Sequence, residues 1–86
     1  MDFSHKLVFD ERLYDAQVLQ KAAYRSINAL TVDITPDGGQ FICALSSNIG
    51  VDEPTFLSAI QDFKKDVLDY QLRHRLAVET QPIKNL

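Results

Sequence analysis

The sequence predicts an α+β domain of order βαββα. Its three-stranded antiparallel sheet has the ferredoxin-like (split βαβ) arrangement, with both helices on one face and a long C-terminal helix. Three observations carry this. Apolar residues repeat at period two in some stretches and near 3.6 in others. A proline–glycine turn separates two strand-like runs. Phe41 to Leu45 is an unbroken apolar run, as the middle strand of such a sheet requires. At 86 residues the chain is a single domain, 1–86, near the small end of what one hydrophobic core supports.

The first strand is expected over His5 to Phe9, "HKLVF", a short span rich in β-branched and aromatic residues. An amphipathic helix follows from about Asp15 to Ser26. Leu13, Ala16, Leu19, Ala23 and Ile27 fall at three- and four-residue spacings, Val18 and Ala22 widen the stripe, and Asp15 is placed to cap it. Leu30 to Thr35 alternates, with Leu30, Val32 and Ile34 on one face and Thr31, Asp33 and Thr35 on the other. "PDGG", Pro36 to Gly39, is turn chemistry, since proline presets one φ and glycine accepts positive φ. The returning strand spans about Gln40 to Ser46. Phe41, Cys43 and Leu45 face the helices, and Ile42 and Ala44 face away.

The last helix starts near Pro54, with Asp52 or Glu53 at its head, and its pattern continues to about Glu79 before Pro82. Phe56, Ile60, Phe63, Val67 and Tyr70 repeat at the helical period, with Leu57 and Leu68 beside them. At about 1.5 Å per residue that helix is roughly 40 Å long, more than three short strands cover. Either it breaks near Tyr70 to Arg73, or its last turns project and seek a partner. A full ferredoxin-like domain pairs a fourth strand with the first. Here that strand is missing or comes from "PIKNL" at the C-terminus, so the outer edge of the first strand is a candidate template for a guest strand.

Composition narrows the function classes. The chain is 45% hydrophobic and 24% charged, as folded domains are. Its net charge of −3 argues against a nucleic-acid partner. No stretch has the length of a membrane span, and "MDFSHKLVFDER" mixes both charges without a long apolar run, so no membrane association is expected and the setting is cytoplasmic.

Reactive constellations are lacking. Cys43, the one cysteine, sits among apolar strand residues and reads as an inert thiol. His5 and His74 stand near opposite ends of the sequence, with no Cys or His neighbour at metal-ligand spacing. The loop around Ser46-Ser47-Asn48 and Gly50 lacks the glycines and lysine of a phosphate-binding loop. Asp62, Asp66 and Asp69 form a solvated helix face. No catalytic residue, metal or cofactor is therefore expected, and the chain is read as non-enzymatic.

The tail is locally basic on an acidic body: Arg73, His74, Arg75 and Lys84 stand against Glu79 after Tyr70. Cations near a helix C-terminus complement its dipole, and they also suit an acidic partner. Tyr70 with Leu72 and Leu76 either closes the core or, with the arginines, forms an interaction hot spot, where Tyr and Arg are enriched.

The stretch Val67-Leu68-Asp69-Tyr70-Gln71-Leu72-Arg73 resembles the Leu-Asn-Asp-Tyr-Xaa-Leu-Arg-Glu-like motif of the D component of the His-Xaa-Ser system. His74 stands where that family has an acidic residue. "ETQPIKNL" is similar to the family's following segment and "YDAQVLQKAAYRSI" to its first helix, so the likeness covers most of the chain. The resemblance implies an accessory protein encoded with radical S-adenosylmethionine enzymes and a repeat-containing peptide that they modify. One cysteine cannot supply the three thiolates of such an enzyme, and no His-Xaa-Ser repeat is present, so the chain is neither enzyme nor substrate. The family lends no site residues. On the chain's own features, the expected partner-binding residues are Lys6 and Val8 at the edge and Tyr70, Arg73 and Arg75 on the tail. The partner is a peptide substrate or a radical enzyme of the same system. The competing expectation is a homodimeric scaffold using the long helix and the sheet face.

Overall fold

The computed structural model describes residues 3–80, with side chains through residue 76. Ser4–Asp10 forms β1, Ala16–Arg25 α1, Leu30–Asp37 β2, Gln40–Ser47 β3 and Glu53–Thr80 α2. The strands make one antiparallel sheet in the order β1-β3-β2, so the most apolar strand is the middle one, as expected.

Register explains the two faces of the sheet. His5, Leu45 and Val32 stand in one row, and Leu7, Cys43 and Ile34 in the next. These point to the helices, and Cys43 and Leu45 are fully buried. The alternate rows, Lys6–Ala44–Asp33 and Val8–Ile42–Thr35, point away, and all but Ile42 are exposed. Period two thus assigns every strand residue to one side.

The β2–β3 turn is tighter than "PDGG" suggests. Pro36 and Asp37 belong to β2, and only Gly38 and Gly39 form the loop, at φ 56° and 91°. Two consecutive positive φ values are the signature of a two-residue type I′ hairpin, whose twist matches that of the strands. Pro36 is accommodated because β2 is an edge strand.

Helix α1 is shorter than its apolar periodicity. It buries Val18, Leu19 and Ala22, while Leu13 and Ile27 fall outside it and are mostly exposed. Helix α2 is continuous through Tyr70 to Arg73, so of the two expected alternatives the break is absent and the helix runs on. Asp52 caps it, accepting the Thr55 N–H at 3.0 Å. Its Phe56, Ile60, Phe63 and Val67 are buried against the sheet and α1. Phe3 stacks on Phe56 and Phe9 meets Phe63 edge-on, placing α2 over β1. Each fully buried side chain of this size contributes about 1.5–3 kcal/mol.

Candidate functional site

Among the described residues, the backbone of β1 is paired on one side only. Glu11 N–H donates to the Gly39 carbonyl and Ser47 N–H to the Phe3 carbonyl, so odd-numbered residues form the hydrogen-bonded pairs with β3. The N–H and C=O groups of Ser4, Lys6 and Val8 therefore point outward, and among the described residues no strand meets them. The "PIKNL" segment that was a candidate fourth strand lies outside the described residues. The outer edge of β2 is likewise unpaired among the described residues, but Pro36 interrupts its donors.

Above the β1 edge hangs one flank of α2. Asp66 and Tyr70 reach α1 through Arg25 and Lys21. Leu68 lies about 160° round the helix from both, and Leu57, Lys64 and Arg75 recur on its side at seven- and four-residue spacings. Leu57 is 53% exposed, Leu68 55% and Leu72 55%; Leu13, just past the end of β1, is 54% exposed. Leu13, Tyr14, Leu68, Gln71, Leu72 and Arg75 line a shallow apolar cleft of about 200 Å³. Arg75 Nη2 donates to the Leu13 carbonyl at 3.1 Å and fixes the end of that cleft. In a four-stranded relative of this architecture, side chains of the fourth strand would cover such a flank.

What holds the flank in place is Gln71, 5% exposed on an otherwise apolar period. Its Oε1 accepts the Asp15 N–H at 2.9 Å, and its Nε2 donates to Asp15 Oδ2 at 3.0 Å. His74 Nε2 approaches the same carboxylate at 3.3 Å. Asp15 is the α1 N-cap by position, but its side chain makes no capping bond and is spent on α2 instead. Asp10, at the end of β1, is held by Arg12, whose side-chain and backbone N–H groups pull its carboxyl down to about 2.

The five residues singled out from sequence occupy three surfaces. Lys6 and Val8 present their main chain at the edge and their side chains on the open sheet face. Arg75 stands on the leucine flank. Tyr70 and Arg73 lie on the opposite side of α2, in a cleft shared with α1. Gln71, Leu57 and the α1 residue Lys21 were not singled out. Gln71 could have been found as a polar residue at the i+4 and i+8 positions from Val67 and Phe63.

Nothing among the described residues groups three or more metal-ligating side chains. Cys43 is buried, which pushes its thiol up to about 11. No helix among the described residues is long and apolar enough to cross a membrane.

Curated proteins and solved structures offer no match to the chain. A family model does: it covers residues 9–86, from the end of β1 through α2 and beyond, and is described as His-Xaa-Ser system protein HxsD. With nearly the whole domain matched, the chain belongs to the HxsD family of the His-Xaa-Ser system.

Proposed function

We propose that this protein is a non-enzymatic accessory component of a radical-SAM-linked peptide maturation pathway, the His-Xaa-Ser system, acting by holding an extended peptide or a strand of a maturation enzyme. The observation that carries this reading is the outer edge of β1, unpaired among the described residues, lying beneath the exposed leucines of α2. A guest strand would pair with the outward N–H and C=O groups of Lys6 and Val8, which supplies affinity largely independent of sequence. Its helix-facing side chains would cover Leu57, Leu68 and Leu72 and add selectivity for apolar residues at alternate positions.

The test is titration of the full chain with the leader region of a His-Xaa-Ser repeat peptide and with the radical enzymes of the system. Saturable binding is expected, and Val8→Pro, which removes one outward donor, should weaken it about tenfold or more. An outward-facing proline on an edge strand leaves the β3 ladder intact. If every pairing stays unbound at tens of micromolar, the role fails.

The same exposed leucine flank also suits a second copy, giving a homodimeric scaffold through β1–β1 pairing. Light scattering separates the readings: a dimer that dissociates in Val8→Pro favours self-association, and a monomer that binds peptide favours the accessory role.

A further inference from the structure

On the flank of α2 facing α1, side chains of both helices enclose a cleft of about 300 Å³ lined by Gln17, Val18, Lys21, Tyr70, Arg73 and His74. Gln17 and Lys21 are one helical turn apart on α1, and Tyr70 lies one turn before Arg73 and His74 on α2, so two helix faces converge. Val18, which is buried, and the Tyr70 ring are its apolar lining. Arg25 Nη1 donates to Tyr70 Oη at 3.3 Å, and Lys21 Nζ stands 4.8 Å above the ring centroid. The ring is thus fixed between two cations.

No carboxylate lines this cleft. Its neighbours differ: one has Glu11 and Asp15, the other Asp62 and Asp66. Arg73 uses only Nε on Asp69, at 3.3 Å, so its Nη1 and Nη2 have no partner among the described residues. Lys21 forms no ion pair with any described residue and meets only the Tyr70 ring. In a chain of net charge −3, two cations face one concavity, Lys21 held only by the Tyr70 ring and Arg73 with both Nη groups unpaired among the described residues.

We infer that this cleft binds a carboxylate side chain carried on an acidic segment of a partner polypeptide. The planar fork of Arg73 matches the two oxygens of a carboxylate, and Lys21 closes the other side as a point charge. The methylenes of a glutamate pack on the Tyr70 ring, and the Gln17 amide offers a donor and an acceptor to the bound main chain. The rim is open, with the Arg73 side chain 73% exposed, so a small free anion would stay largely hydrated. An anion attached to a chain gains contact with Tyr70 and Val18 as well. The site lies across α2 from the β1 edge and does not depend on strand addition there.

The experiment uses the full chain labelled with ¹⁵N and three probes: an acetylated alanine peptide carrying glutamates, its glutamine counterpart, and inorganic phosphate. The glutamate peptide should shift the amide signals of Lys21, Tyr70, Arg73 and His74 saturably, and the glutamine peptide should not. Lys21→Gln with Arg73→Gln should weaken binding about tenfold or more while leaving the denaturation midpoint near that of the parent, since both side chains are exposed. Absent or unsaturable shifts, equal shifts with glutamine, or shifts unaffected by the double substitution would overturn the site. Phosphate binding as tightly as the glutamate peptide would overturn the carboxylate assignment. Shifts centred on Lys6 and Val8 would count for the strand edge and against this cleft.

Discussion

Gln71 grips Asp15 at two points, accepting its N–H at 2.9 Å and donating to its carboxylate at 3.0 Å. One buried side chain therefore joins the start of α1 to a point five turns along α2. It satisfies its own amide in a nearly dry position, where an unpaired group would be costly. Truncation opens a cavity and strands both partners, so Gln71→Ala should lower stability by about 2–3 kcal/mol in urea denaturation. Gln71→Glu keeps the size but sets a carboxylate against Asp15. It should destabilise at neutral pH and recover part of the loss near pH 4, where carboxyls gain protons.

The two-residue β2–β3 turn gives a sharper test of backbone strain. Gly38 sits at φ 56°, which asparagine tolerates, whereas Gly39 sits at φ 91°. A Cβ at Gly39 would meet nothing closer than 3.9 Å, so space is not the issue. Gly38→Asn should change stability by under about 0.5 kcal/mol, and Gly39→Val should cost about 1–2 kcal/mol by conformation alone. Similar denaturation midpoints for the two would rule out the type I′ assignment.

Acid should act on the Asp10–Arg12 pair. The folded carboxyl is depressed to about 2 from an ordinary value of 3.8, so its contribution is present above pH 3.8 and fades as pH falls towards 2. Both groups are substantially hydrated, so the stability effect is small and the carboxyl's own titration is the better readout. By NMR the Asp10 midpoint should lie near 2 and return towards 3.8 in Arg12→Ala.

The buried Cys43 thiol, pushed up to about 11, should resist a thiol reagent at neutral pH in the folded protein and react fully in denaturant. Labelling at equal rates in both states would mean that the middle of the sheet opens readily.

Much of this fold was legible because period-two and period-3.6 patterns carry most of the burial information. The alternation in Leu30 to Thr35 and the apolar run from Phe41 to Leu45 gave the hairpin and its middle strand, and the spacing of Phe56, Ile60, Phe63 and Val67 gave the buried face of α2. Periodicity did not reveal how far neighbouring elements extend. Leu57 and Leu68 sit beside the core stripe, yet they are exposed because no strand lies outside β1 among the described residues. The helical period does set Tyr70 and Arg73 across α2 from Arg75, but it could not show which of the two sides meets α1. Which side α1 packs on is a tertiary fact.

Hydrogen exchange at the Lys6 and Val8 amides probes the account most directly, measured on the monomer with and without saturating His-Xaa-Ser leader peptide. Both should exchange fast in the free chain, while the neighbouring Leu7 amide is protected by β3, and both should slow by about tenfold or more when the peptide binds. Protection of Lys6 and Val8 already in the free monomer, or no change on adding peptide, would contradict it.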